Sequence, residues 1–344
     1  MSKQKIFVTG ATGYIGGAVL WRLLNHKDAG KYTFKALVRS PEKAKPFDKF
    51  GVEAVVGDLA EHEKLEKLCE EADYIINTAD IDDLPATKAM LRGVKKKFDT
   101  TGKKVFFIHT SGTSVLEDRA LGMYTGEKIY TESVEDIESL PLTKVHRPVD
   151  AVVIEAGAAG YATTYILCPC TIYGIVSNPL VDAGIMNPHS IQIPQVIRLS
   201  IERGQGGMIG LGKNIIHDVS IDDFADLYIV LFDKIHSDPE GTLNGREGYY
   251  FGVNGEHYMY DVYKKIAEVL VKRGIGKSSE PTPFAEEDLD RYLGFRYIGS
   301  NCRCKPGRAF AIGWKPKDTT ADFLASIEPE IDALIKLDAK KSGI

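Results

Sequence analysis

The segment "MYTGEKIY", residues 123–130, holds Tyr124 and Lys128 in a Tyr-x-x-x-Lys spacing. A phenol beside an ammonium is a proton donor suited to carbonyl reduction, because the neighbouring positive charge favours the phenolate left behind. Gly126 lies inside the motif, and a glycine costs about 1 kcal/mol in a helix interior, so the pair is expected on a loop. Ser111, flanked by Thr110 and Thr113, offers a hydroxyl that can polarise a carbonyl. His146 is a second titratable group near the start of a helical pattern. An imidazole can exchange a proton near neutral pH; beside Arg147 it can instead cap the helix or contact a cofactor. Ser111, Tyr124, Lys128 and His146 are the candidate catalytic set.

The second chemical signal is "VTGATGYIGG" near the N-terminus. Gly10, Gly13 and Gly16 follow an apolar strand pattern and open a helical one, the context in which a glycine fingerprint cradles a dinucleotide. Gly10 permits the tight turn, Gly13 lets the backbone approach a pyrophosphate, and Gly16 lets helix and strand pack closely. The helix N-terminus adds unpaired N–H groups and partial positive charge for the anion. After the second strand, "KALVRSPEKAK" places Arg39 and Ser40 where an acidic residue would bind the ribose of NAD. A guanidinium pairs instead with a 2′-phosphate, so NADP is the expected cofactor, with NAD the lesser alternative. An Arg39 that only stacks on adenine would accept both.

These groups need a scaffold, and the first half of the chain alternates strand and helix patterns. "KIFVTG" runs into "GGAVLWRLLNH", followed by "YTFKALVR", "EAVVGD", "HEKLEKLCEEA", "DYIINTA", "ATKAMLRGVKKKFDTTG" and "KVFFIHTSG". Such alternation predicts an α/β fold, a Rossmann-type doubly wound parallel sheet with helices on both faces. The rhythm breaks after residue 112 and resumes with the helix "VDAVVIEAGAAG" and the strand "TTYILCPCTIYG". Residues 1–174 read as the dinucleotide-binding domain, with 216–255 returning to it; 175–215 and 256–344 read as a smaller substrate lobe. In "IIHDVSIDDFADLYIVLFDKI" Asp222 or Asp223 is the expected N-cap. The tail reads as irregular until an amphipathic helix within "AIGWKPKDTTADFLASIEPEIDALIKLD". Tyr173, His189 and Tyr258 are pocket candidates.

Bulk properties exclude several classes. With 344 residues, 44% hydrophobic and 26% charged, the chain is long enough for a sizeable core. A net charge of −5 gives no electrostatic reason to expect nucleic acid. No apolar run is long enough for a membrane span, and the immediate entry into a strand leaves no room for a signal peptide. The five cysteines include two C-x-C pairs, too tight for the usual zinc spacing, so buried thiols in the cytoplasm and no metal are expected. The expected partner is a small-molecule substrate; a homodimer is left open.

With its "ATGYIGG" filling, the fingerprint resembles the extended and atypical branches of the short-chain dehydrogenase/reductase superfamily, the NAD-dependent epimerase/dehydratase-like proteins. The likeness continues in order along almost the whole chain. Gly57-Asp58-Leu59 resembles the family's adenine-contacting turn, and Thr78-Ala79-Asp80 stands at its Asn-Ala-Ala-Gly-type segment. Thr110-Ser111-Gly112 ends the serine strand, "PCTIYG" (Pro169, Cys170, Thr171, Ile172) resembles the strand end beside the nicotinamide, and "IGWKPK" resembles a late motif. The resemblance implies cofactor contacts at these positions and at Thr12, Tyr14 and Ile15 of the turn. It also implies a Tyr-x-x-x-Lys on the helix after the serine strand, and here the chain departs. Aligning Glu155 with the family's helix glutamate puts Arg147 and Ala151 at those two positions, and neither can act as proton donor or ammonium. Two readings follow: an NADP(H)-dependent reductase or dehydrogenase acting on a small carbonyl or alcohol, or a non-catalytic dinucleotide sensor of the nitrogen-metabolite-repressor type. Sugar-nucleotide epimerases share the layout but keep the Tyr/Lys pair.

Overall fold

The computed structural model describes residues 3–291 and 295–341. In chain order the strands are β1 (Gln4–Thr9), β2 (Tyr32–Val38), β3 (Val52–Val56), β4 (Tyr74–Asn77), β5 (Val105–Thr110) and β6 (Ala162–Pro169). They continue with β7 (Thr171–Tyr173), β8 (Gly207–Met208), β9 (Ile215–Ser220), β10 (Tyr249–Gly252), β11 (Gly255–Tyr258) and β12 (Thr282–Pro283). Seven of them form one sheet in the order β10-β6-β5-β4-β1-β2-β3, every neighbouring pair parallel. This is the doubly wound Rossmann-type order, whose direction reverses between β1 and β4. Ligands of such sheets bind beyond the strand carboxyl ends at that reversal.

The apolar runs are continuous because both faces of the sheet are covered. Helices Tyr14–Leu24 and Ile221–Ser237 pack on one face, around Ile6, Val8 and Leu20. Helices His62–Glu71, Leu84–Thr101 and Arg147–Ala158 cover the other, around Phe7, Ile75 and Phe107. Phe7 thus points opposite to Ile6 and Val8, as the two-residue strand period demands.

A smaller three-stranded sheet, β11-β9-β7, and the helices Gln192–Glu202, Met259–Lys272 and Thr320–Lys341 enclose a third core around Val196, Tyr263 and Phe323. Met259–Lys272 lies in the tail that reads as irregular, and Gln192–Glu202 in a stretch assigned only to the substrate lobe. Met259–Lys272 buries Met259, Val262, Tyr263, Ile266 and Leu270, a three-and-four spacing that is legible once the partner surface is known. The expected Asp cap is also corrected. Ser220 caps helix Ile221–Ser237, its side chain accepting from the Asp223 N–H at 3.1 Å, while Asp222 and Asp223 lie in the first turn. Among the described residues no helix is long and apolar enough to cross a membrane.

Candidate active site

The glycine turn leaves β1 and meets the end of β4. Gly10 has φ +73°, and a Cβ there would stand 2.6 Å from Thr78 Oγ1 and 2.8 Å from the Ala79 nitrogen. A Cβ on Gly16 would lie 2.3 Å from the Gly10 carbonyl oxygen. Both glycines are therefore demanded by the fold itself. Gly16→Ala is expected to lower the melting temperature, since overpacking of this kind costs roughly 1–3 kcal/mol; an unchanged melting curve would contradict the close approach. Gly13 differs. Its backbone is extended (φ −84°, ψ 174°), and a Cβ would meet only the Gly10 carbonyl oxygen, at 3.1 Å. No side chain caps the helix that Gly13 precedes, so the first-turn N–H groups remain available to an anion, and the cradle fits a pyrophosphate.

Beyond the cradle, a cavity of about 600 Å³ opens at the carboxyl ends of β1, β4, β5 and β6. Gly13, Thr78, Ser111, His146, Pro169 and Cys170 line its sheet side; Gln192, Gln195, Ile216 and Tyr297 close it from the second lobe. Of the sequence candidates, Tyr14, Ile15, Gly16 and Ile172 line it too. Among the described residues no lysine or arginine does, and the charged or titratable groups at its wall are Asp82, His146 and the thiols of Cys170 and Cys302, with Tyr14 and Tyr297. Burial pushes both thiols up, away from nucleophilic reactivity.

His146 is held in an unusual way. It is a non-glycine residue at φ +66°, the N-cap of helix Arg147–Ala158, and such backbone geometry costs about 1–3 kcal/mol and persists only where the surroundings impose it. Asp82 imposes it: one carboxylate oxygen accepts from the His146 backbone N–H at 3.0 Å and lies 2.8 Å from Nδ1. Burial would raise the Asp82 carboxyl, but the two hydrogen bonds from His146 and the nearby imidazole charges together outweigh it and hold the group below its usual range. The ionised carboxylate thus accepts the Nδ1 proton, leaving Nε2, which lies 3.1 Å from where a Cβ on Gly112 would stand, beside Ser111.

Behind the cavity lies a fully buried polar row. Thr9 Oγ1 donates to Asn77 Oδ1 at 2.6 Å, and Asn77 Nδ2 lies 3.0 Å from His109 Nδ1. Asp150 Oδ2 accepts from Ser111 Oγ at 3.0 Å and from the Tyr249 hydroxyl at 2.7 Å. Burial raises the Asp150 carboxyl to about 6 and lowers His109 to about 3. The sequence reading missed Asp82, His109, Asp150 and Tyr249. One signal was available: His146 and Asp150 are four residues apart, the spacing sought for the Tyr/Lys pair.

The loop pair lies elsewhere. Tyr124 is 50% exposed and Lys128 pairs with Asp136 at 3.4 Å; both line a separate 310 Å³ pocket with Glu117, Asp118 and Arg303. The loop expectation for the segment agrees with its irregular backbone. The segment is drawn away from the cavity by its own hydrogen bonds, Gly122 N–H to Gly299 O and Thr125 Oγ1 to Lys213 O. Arg147, aligned with the family tyrosine, instead donates to the Leu140 carbonyl. The residues facing the serine strand are one position earlier, His146 and Asp150.

Other candidates scatter. Thr110 Oγ1 meets the Tyr228 hydroxyl in the core, and Thr171 Oγ1 donates to Gln192. Thr12 receives the Asn187 N–H on its carbonyl. Arg39, Asp58 and Asp80 are exposed at the same sheet edge, with Ser40, Leu59 and Ala79 partly covered, all outside the cavity wall. Ser40 caps the short helix that follows it. Tyr173 donates to the Thr319 carbonyl, His189 pairs with Glu330, and Tyr258 is exposed; none of the three lines the cavity.

Residues 2–96 match the NmrA-like family. In solved structures, the chain is similar to dTDP-glucose 4,6-dehydratase from Bacillus anthracis in complex with NAD, at 16% identity, TM-score 0.64 and 97% of both chains. It is likewise similar to UDP-glucuronic acid 4-epimerase from Bacillus cereus in complex with UDP-glucuronic acid and NAD, at 17% identity, TM-score 0.63, 96% of this chain and 100% of that one. The chain carries an NmrA-like segment, residues 2–96, and shares its overall fold with these two enzymes. Across 99% of both chains it is also 27% identical to the protein named oxidase ucsJ of an Acremonium species. An uncharacterized protein of Saccharomyces cerevisiae is 25% identical over 91% of this chain and 95% of its own length.

Proposed function

We propose that the protein is an NADP(H)-dependent oxidoreductase acting on a neutral, largely apolar carbonyl or alcohol. The observation that carries this reading is the meeting of Ser111 and His146 in the cavity that also contains the glycine turn. Bound there, the nicotinamide cofactor supplies or accepts the hydride. Gly10, Gly13, Gly16 and the free helix N–H groups hold its pyrophosphate. Thr78 and the segment Pro169–Ile172 border the nicotinamide end, and Asp58 and Leu59 border the adenine end. Ser111 holds the substrate oxygen. His146 gives or takes the proton through Nε2 and communicates with solvent through the half-exposed Asp82.

The apolar character of the substrate follows from the wall. A nucleotide sugar carries a pyrophosphate that asks for lysine or arginine partners, and the described lining has none. The name of the Acremonium relative accords with redox chemistry. The test is NADPH consumption against neutral aldehydes and ketones, run beside a UDP-sugar epimerisation assay. Epimerisation without carbonyl reduction would overturn the reading, and dinucleotide binding without any turnover would favour a sensor.

NADP preference rests on Arg39. It stands exposed just past β2, with no ion pair among the described residues, so a 2′-phosphate has no competitor for it. Arg39→Asp is expected to weaken NADPH binding by roughly 10-fold or more, the scale of one lost charge-assisted bond, and to affect NADH far less. Equal affinities of the native protein for the two cofactors would refute this assignment.

A further inference from the structure

Asp150 touches no part of the cavity, yet it holds the proton of the residue that does. Its Oδ2 accepts both the Ser111 and the Tyr249 hydroxyls, and it is 0% exposed. Its Oδ1 has no hydrogen-bond partner, nor does His109 Nε2, 3.8 Å away. The polar row assigns the histidine's tautomer. Asn77 Oδ1 is engaged by Thr9, so its amide donates to His109 Nδ1, which leaves the imidazole proton on Nε2, aimed at Asp150. The other titratable or charged groups around the carboxyl are His146 and Arg147 on its own helix and Cys168 on β6.

Ser111 has one proton to place. While Asp150 is ionised, that proton is held behind the site, and the hydroxyl presents only lone pairs to the cavity. A proton on Oδ2 reverses the bond, and Ser111 then donates into the cavity. We propose that Asp150 is a positioning residue that sets the direction of the Ser111 hydroxyl, so that only its protonated form readies the site to hold a carbonyl oxygen. The inference rests on the oxidoreductase reading for its consequence, but not for its premise, which concerns the free protein alone. The raised carboxyl, at about 6, puts the change of direction within reach of ordinary working pH.

The premise is tested by following the Asp150 carboxyl through a pH titration of the cofactor-free protein, by carboxyl carbon NMR assigned with Asp150→Asn. The midpoint is expected near 6, and it should rise in both Ser111→Ala and Tyr249→Phe, because each change takes a donor from the carboxylate. A midpoint in the ordinary aspartate range, or one that neither variant moves, overturns the proposal whatever the enzyme's substrate. These two variants report even if Asp150→Asn fails to fold, since the Asp150 carboxyl carbon is then assigned through its own backbone resonances.

The consequence is tested by the pH profile of carbonyl reduction. Turnover in the native protein should fall about 10-fold for each pH unit above the Asp150 midpoint. Asp150→Asn should lose that limb, its turnover no longer changing with pH across the native midpoint. Its Oδ1 can accept from His109 Nε2, while its Nδ2 donates permanently towards Ser111, imitating the protonated acid. An Asp150→Asn variant with the native limb intact would refute the link between Asp150 and Ser111. Absence of all carbonyl reduction would instead strike the oxidoreductase reading and leave the titration result standing.

Discussion

Gly13→Val is expected to abolish dinucleotide binding while leaving the protein folded. The backbone at this position is extended, a conformation valine adopts freely, and the added Cβ meets only the Gly10 carbonyl oxygen at 3.1 Å. The cost to the fold is therefore a local adjustment. The branched methyl groups, however, stand at the N-terminus of helix Tyr14–Leu24, where a pyrophosphate must approach the N–H groups directly. Loss of that approach removes several charge-assisted bonds together, and affinity should fall beyond the range of a fluorescence titration. The contrast with Gly16 is the control. There the same experiment should lower the melting temperature, because its Cβ would meet backbone at 2.3 Å. A folded Gly13→Val variant that binds NADPH with native affinity would detach the glycine turn from cofactor binding.

His146→Asn should lower turnover roughly 100-fold or more, the usual consequence of removing a general acid or base, with NADPH affinity nearly unchanged. Asparagine suits the test because it tolerates positive φ better than most residues, and position 146 lies at +66°. Its backbone N–H also keeps the bond to Asp82. Tyr124→Phe should leave turnover near native, since that phenol lines a different pocket and is half exposed. The reverse pattern, with loss at Tyr124 and none at His146, would return the acid to the loop and reject the present assignment.

The difference between these two residues marks where sequence reasoning stops. Tyr124 and Lys128 have the right types at the right spacing, but spacing carries chemistry only on a known element. Their segment is irregular, and long-range bonds from Gly122, Thr125 and Tyr130 to Leu211, Lys213, Gly299, Arg303 and Lys305 determine where it lies. His146 was legible as a titratable group and as a candidate helix cap, but its positive φ and its partner were not, because Asp82 is distant in the chain and arrives by way of β4. Asp150 was invisible for a further reason. A lone aspartate in an apolar helix reads as a surface residue, and its burial follows from Tyr249, which reaches it only when β10 joins β6 at the sheet edge.

Local patterns sufficed for the alternating strands and helices, for the glycine turn and for Arg39 beyond β2, because each depends on a few consecutive residues and on the periodicity of burial. The parallel Rossmann-type sheet follows from those elements and the handedness of their crossovers. Which side chains meet at the carboxyl edge, and which hydroxyl proton faces the cavity, depends on contacts between strands and lobes far apart in the chain. Thr9, Asn77 and His109 form one buried row only because β1, β4 and β5 lie side by side, and Ser111 meets Asp150 only because the following helix packs against that row. Such meetings are decided by packing and by satisfaction of buried polar groups, and these exist only in the folded chain.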